Sequence, residues 1–240
     1  MKSLIAFDID GVIRDVSSSY RRALMDTVEH FGGCRPTMAD IDCLKAEGLW
    51  NNDWLGSQEL LRRQGIALPS YPELIAFFQE RYLGSPAGTG YIADEALLVT
   101  KEHFQALDAR GLVYGFFSGA SRFSAQTALG RLGLSSAPLV AMEDGPEKPD
   151  PTGLFALADR FNRAFEQIFY LGDTVADMRT VENAKPLRPG LHFIGIGIVP
   201  PHLWNHPGQS DYSEKLRQSG ATLVWERFPE PEQFADYFAG

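Results

Sequence analysis

Two aspartates one residue apart, Asp8 and Asp10, follow the apolar run Leu4-Ile5-Ala6-Phe7, and Gly11 comes directly after them. The run is short and continuous, as a buried strand is, so both carboxylates sit at its C-terminal end, where Gly11 lets the chain turn away. Carboxylates held there can bind a divalent cation and can attack a phosphorus atom. The pattern by itself also occurs in calcium loops and plain turns, and a strand-end Asp can simply cap the next turn. Asp8 is the candidate nucleophile, since a carboxylate that forms a mixed anhydride with phosphorus splits one hard hydrolysis into two steps. Asp10 points to the same side while the chain stays extended. It suits proton transfer to a leaving oxygen, and then from an attacking water.

Three further patterns follow in order. Ser118 ends the apolar run Val113-Tyr114-Gly115-Phe116-Phe117. A hydroxyl there and the amide N–H of Gly119 can donate to phosphoryl oxygens, although a strand-end Ser alone is a weak signal. Lys148 stands in Glu147-Lys148-Pro149-Asp150-Pro151. An isolated Lys is usually a surface residue, but an ammonium near two carboxylates and a dianion neutralises charge in the ground and transition states. Asp173 and Asp177 lie four apart in Gly172-Asp173-Thr174-Val175-Ala176-Asp177. That spacing puts both on one face of a first helical turn, with N-capping by Asp173 as the plain alternative.

Together, Asp8-Ile9-Asp10-Gly11, Ser118, Lys148-Pro149-Asp150 and Gly172 to Asp177 resemble the four-motif signature of the haloacid dehalogenase superfamily, over residues 4 to about 200. The resemblance implies a three-layer, Rossmann-like α/β core, an aspartyl-phosphate intermediate and Mg²⁺. On that reading Asp8, the backbone carbonyl of Asp10 and Asp173 are the direct metal ligands, while Asp177 binds through water or orients Lys148. Mg²⁺ keeps several waters and takes few carboxylates, which suits so sparse a set. The resemblance also implies that phosphate-processing members keep the second Asp, which carbon–halogen cleavers lack. Asp10 therefore argues against dehalogenation.

The elements that must position these groups alternate. Strand candidates are Leu4–Phe7, Leu112–Phe117, Leu139–Ala141, Ile168–Leu171, Phe193–Val199 and Leu223–Trp225, with helical patterns such as Lys101–Arg110, Ser121–Leu132, Gly153–Phe161 and Val175–Asn183 between them. Such alternation predicts a parallel sheet covered on both faces, with ligands beyond the carboxyl ends of its strands. The rhythm breaks between Arg14 and about Asp94, where Tyr20–Phe31, Met38–Ala46, Trp54–Gln64 and Tyr71–Tyr82 all read as helices. A Gly-rich linker, residues 83–90, follows. The expected organisation is a catalytic core at 1–13 and 95–240 with an all-helical cap at 14–94. The insertion resembles the first cap class of the superfamily (subfamily I), whose caps close over the site and choose the substrate.

Other residues are less firmly placed by the sequence. Arg14 can reach a substrate anion bidentately, and a hinge or surface salt bridge suits it equally. Arg122 sits near the pocket or is a solvated first-turn residue. In Trp50-Asn51-Asn52-Asp53-Trp54 the two indoles can stack on a substrate while the amides read hydroxyls, or they can pack helices. Lys45 is the one cap lysine, on which a phosphonate-cleaving Schiff base would depend. His202 and His206 lack a third metal ligand and read as a surface loop.

Composition bounds the rest. The 240 residues are 44% hydrophobic and 22% charged, as in ordinary globular chains, and the net charge of −9 argues against nucleic-acid backbones and anionic membranes as partners. Cys34 and Cys43 form no metal or disulfide motif. With no spanning run and no signal pattern, the expected location is cytoplasmic. The expected activity is Mg²⁺-dependent hydrolysis of a small soluble phosphate monoester, a phosphorylated metabolite. The rivals are a phosphotransferase or phosphomutase on a sugar phosphate, and a non-catalytic binding module.

Overall fold

The structure is a computed structural model that describes residues 2–50 and 52–239. Its elements run β1 (Ser3–Phe7), α1 (Tyr20–His30), α2 (Met38–Lys45), α3 (Asp53–Arg63), α4 (Tyr71–Leu83), α5 (Lys101–Ala109), β2 (Val113–Phe117), α6 (Arg122–Arg131), β3 (Leu139–Val140), α7 (Thr152–Asp159), β4 (Gln167–Gly172), α8 (Val175–Ala184), β5 (His192–Ile198), α9 (Gln209–Gln218), β6 (Ala221–Trp225) and α10 (Pro231–Ala239). Among the described residues, no helix is long and apolar enough to cross a membrane.

All six strands form one parallel sheet in the order β3-β2-β1-β4-β5-β6. Such a sheet is buried on both faces, which is why its strands read as unbroken apolar runs. Successive β1 side chains go to opposite sides. Ile5 and Phe7 pack with Phe104 of α5, Leu129 of α6 and Phe234 of α10. Leu4 and Ala6 pack with Leu154 of α7 and Val181 of α8. The result is a three-layer α/β arrangement, as the alternation predicts.

The chain divides into two compact units, residues 1–15 with 97–240, and residues 16–96. The boundaries lie two residues later at each end than the expected 14–94 insertion. Arg14 belongs to the sheet unit because its backbone bridges both Asp10 and Leu97. The second unit is helical, and its core joins Leu24, Val28, Ile41, Leu44, Leu61, Leu74, Phe78 and Tyr82. Leu74, Phe78 and Tyr82 recur every four residues, so they share one face of α4. Tyr20 meets Phe78 and Tyr82 edge-on, at 5.3 and 5.0 Å between ring centroids. Thr37 and Ser70 start α2 and α4 with reciprocal capping boxes.

The C-terminal segment is integral to the sheet unit, since β6 extends the sheet and α10 supplies Phe234. That ring is wholly buried and lies 5.2–6.0 Å from Phe7, Trp225, Phe228 and Phe238. Phe234→Ala is therefore expected to cost about 3–5 kcal/mol. A urea titration showing less than about 1 kcal/mol would mean that α10 is not part of the cooperative core.

Candidate active site

The site grows from three adjacent strands. Phe7 is in register with Phe116 of β2 and with Leu171 of β4. Asp8 comes one residue after Phe7, and Ser118 and Asp173 come two residues after Phe116 and Leu171, all at the carboxyl edge of the sheet. Neighbouring strands lie about 4.8 Å apart, so residues distant in sequence converge here. Asp8 N–H still donates to Leu171 O at 2.8 Å, which extends the ladder into the site.

Asp8, Asp173 and Asp177 each place a carboxylate oxygen within 4.8 Å of the others. Two glycines make room for them. Gly11 has φ +73°, and a Cβ there would lie 2.0 Å from Asp173 Oδ2. A Cβ on Gly172 would lie 2.3 Å from the Cβ of Asp177. Any side chain at either position would displace a site carboxylate.

Lys148 is 5% exposed and shared between two of these acids. Its Nζ lies 2.5 Å from Asp177 Oδ1 and 2.9 Å from Asp8 Oδ2. Burial alone would lower the ammonium's pKa, but Asp177 and Asp8 outweigh it and raise it, so the lysine stays charged. Asp8 has the opposite problem. Burial pushes its carboxyl up to about 7, opposed by Lys148 and reinforced by the charges of Asp177 and Asp10. One ammonium thus serves a cluster with surplus negative charge. An all-oxygen donor set with that surplus fits a hard divalent cation, and Asp8 and Asp173 are the side chains that could hold it.

Asp177 is better described as the holder of Lys148. Its Oδ1 accepts from Lys148 and, at 3.1 Å, from Tyr170 Oη. Its Oδ2 accepts from the Thr174 amide and hydroxyl at 2.9 and 2.6 Å in the capping box of α8. Both oxygens therefore accept hydrogen bonds inside the protein, one of them from Lys148. Tyr170 escaped the sequence reading. Its hydroxyl also donates to Phe117 O at 3.0 Å, tying the residue before Ser118 to the lysine's anchor. Burial, then Asp177, raises its phenol well above the ordinary value, so it remains a donor. The one sequence signal was a phenol inside the buried run Ile168-Phe169-Tyr170-Leu171, where a hydroxyl needs a partner.

Ser118 is 1% exposed. Its Oγ accepts from Ala120 N–H at 3.2 Å, so its own proton remains available to donate. Gly119 beside it is partly exposed. The Asp10 side chain does not join the carboxylate cluster; it pairs with Arg14 at 2.6 Å. Arg14 itself is wholly buried, with its guanidinium donating to Asp10 and Ser124. Of the roles the sequence left open to Arg14, these donors serve an ion pair, here a buried one. Arg122 pairs with Asp144 at the surface.

In the second unit, α3 begins only at Asp53, so Trp50 and Trp54 are not successive turns of one helix. Both indoles pack against the helical core. Trp50 Nε1 donates to Glu47, while Trp54 Nε1 is buried without an acceptor among the described residues. Asn52 caps α3, Asp53 pairs with Lys45 at 2.8 Å, and Asn51 lies outside the described residues. The segment thus has packing and capping roles, and the Lys45 ammonium is engaged by a buried carboxylate rather than poised as an amine nucleophile. In the C-terminal loop, His206 accepts from Gly208 N–H and Trp204 donates to Val199 O. No metal-ligating group forms there among the described residues.

A family model described as haloacid dehalogenase-like hydrolase matches residues 2–185. An imidazoleglycerol-phosphate dehydratase from Phytophthora nicotianae is 30% identical over 182 residues, 72% of this chain. The chain spans 40% of that curated relative's length. Two solved structures share the fold. A hydrolase from Pseudomonas syringae superposes with TM-score 0.70 at 18% identity, covering 99% of this chain and 98% of its own. A predicted phosphoglycolate phosphatase from Haemophilus somnus 129pt gives 0.69 at 17%, covering 98% and 96%.

The raised Asp8 carboxyl has a measurable consequence. Its pKa is about 7 in the folded protein against an ordinary 3.8, so folding is penalised as pH rises from 3.8 to 7 and fully so above 7. In cation-free protein, Asp8→Asn should raise the melting temperature at pH 8 and have little effect at pH 4. A gain that is equal at both pH values would show that Asp8 ionisation is not the cause.

Proposed function

Because the chain belongs to the haloacid dehalogenase-like hydrolases, we propose that it hydrolyses a small soluble phosphate monoester by way of a phosphoryl group carried on Asp8. The observation that carries this reading is the buried Asp8–Lys148 pair beside Asp173, at the carboxyl edge of the sheet. A phosphate dianion and a carboxylate nucleophile repel each other unless cationic charge is already in place. Lys148 supplies one such charge and is fixed by Asp177, so it need not reorganise during reaction.

The residues divide the work as follows. A carboxylate oxygen of Asp8 attacks phosphorus as the ester bond breaks. Asp10 protonates the leaving alcohol oxygen. The Ser118 hydroxyl, the Gly119 amide and the Lys148 ammonium bind the non-bridging oxygens. Asp10, now a carboxylate, takes a proton from the water that attacks the Asp8-bound phosphorus, and inorganic phosphate leaves with Asp8 regenerated. Mg²⁺ fits the oxygen donors of Asp8, Asp173 and the Asp10 carbonyl, and when bound it offsets the charge of the phosphoryl oxygens.

The helical unit at residues 16–96 serves in this reading as a cap of the first class and restricts which ester is accepted. The dehydratase named for the longer relative contributes nothing to this assignment, because the chain covers less than half of that protein. We place the reaction in the cytoplasm, on a metabolite rather than on a macromolecule.

The test is release of inorganic phosphate from p-nitrophenyl phosphate with Mg²⁺ present. Chelation should abolish turnover, and Ca²⁺ should inhibit because its larger coordination number can draw both oxygens of Asp8 into binding. Asp8→Asn should fall to background while remaining folded, and Asp10→Asn should lose about a hundredfold or more. Steady-state hydrolysis by Asp8→Asn within about tenfold of the parent, a loss of only about 1.4 kcal/mol of transition-state stabilisation, would exclude the covalent route.

A further inference from the structure

Arg14 is the bulkiest of the wholly buried side chains. A buried ion pair is seldom the most stable filling for its space, since apolar residues of similar volume often do as well or better. Its retention beside a candidate reacting group therefore invites a role in the chemistry. The guanidinium reaches in two directions. Nε lies 2.7 Å and Nη2 2.6 Å from Asp10 Oδ1. Nη1 donates to the Ser124 carbonyl at 3.0 Å, and Nη2 to Ser124 Oγ at 2.6 Å. Ser124 lies in the first turn of α6, the helix that follows the Ser118 turn, and its own N–H is held by the capping hydroxyl of Ser121. The Arg14 carbonyl accepts from Gly11 N–H at 2.9 Å, which closes the loop over Asp10.

Both contacts to Asp10 fall on the same oxygen. Oδ2 accepts no hydrogen bond among the described residues, and the Asp10 side chain is 22% exposed where Arg14 is 0%. One oxygen is thus clamped from inside the fold, on a side chain that is still partly open to solvent. Two nitrogens of one planar, anchored guanidinium converge on that oxygen and fix its position more tightly than a single freely rotating ammonium does.

We infer that Arg14 is a positioning residue that orients the Asp10 carboxyl for proton transfer, with Ser124 as its anchor on α6. The inference rests on the proton-transfer role proposed above for Asp10. Misplacing an acid by a fraction of an ångström weakens proton donation most where the leaving group needs it most.

The experiment compares phenyl phosphate with p-nitrophenyl phosphate, two esters of similar shape, with Mg²⁺ present, in the full-length parent, Arg14→Gln, Arg14→Lys and Ser124→Ala. kcat/KM covers the steps up to phosphoryl transfer to Asp8, and phenoxide needs a proton more than p-nitrophenoxide does. Arg14→Gln and Arg14→Lys should lower kcat/KM for phenyl phosphate about tenfold or more beyond any loss on p-nitrophenyl phosphate, with kcat rather than KM carrying the change. Ser124→Ala should shift the same ratio by about threefold. Folded variants, judged by circular dichroism and melting temperature, that lose both esters by one factor or lose neither would overturn the inference. If the Arg14 variants do not fold, Ser124→Ala decides alone, and an unchanged ratio rejects the clamp. A parent that hydrolyses neither ester would instead remove the phosphatase reading, and this inference with it.

Discussion

One buried ammonium held between two carboxylates organises the rest of the site. Lys148 bridges Asp8 and Asp177, and removing its ammonium would leave two carboxylates facing each other in a dry environment, a situation that typically costs about 3–5 kcal/mol. The bridge joins the end of β1 and the first turn of α8 to the loop that leads into α7. It also unites opposing demands: Lys148 must remain charged, and Asp8 must be able to lose its proton. Burial works against both, and the two carboxylates resolve the first at the expense of the second. The surplus of carboxylates over ammonium makes the edge of the sheet a place that could hold a cation.

The supporting shell is as specific as the cluster. Thr174 takes one oxygen of Asp177 while Lys148 and Tyr170 take the other. Tyr170 also reaches the carbonyl of Phe117. Asp10 is tied to Arg14, and Arg14 to Ser124. Lys148 is thus oriented by Asp177, and Asp10 by Arg14, each through a buried side chain. Rigid placement of this kind lets a few polar groups act without reorganising.

The two units differ in how their residues are used. In the sheet unit, Asp8, Ser118 and Asp173 follow strand ends, Lys148 lies in the loop before α7 and Asp177 in the first turn of α8. In the helical unit, Trp50, Trp54 and Asp53, which looked like a recognition segment, are engaged in packing, capping and an ion pair. An indole flanked by amides has the same composition in a pocket wall and at a helix start, so composition could not separate the two.

The parallel α/β fold was legible in the sequence because a strand buried on both faces has to be a short unbroken apolar run, and a covering helix has to repeat its apolar residues every three or four positions. Asp8 and Asp173 could be named because charged residues at the ends of such runs stand out locally, whereas Lys148 and Asp177 were named through the motifs that resemble the superfamily's signature. What the tertiary structure alone decided is who meets whom. The order β2-β1-β4 brings the residues after Phe7, Phe117 and Gly172 side by side, although more than a hundred positions separate Asp8 from Ser118. Arg14 looked like a surface or substrate-facing cation because its partner Ser124 is 110 residues away. Nothing near Tyr170 in sequence announces its bond to the Phe117 carbonyl. Local pattern is written by burial, which each segment shows on its own. Partnership is written by strand order and helix placement, which exist only once the whole chain has folded.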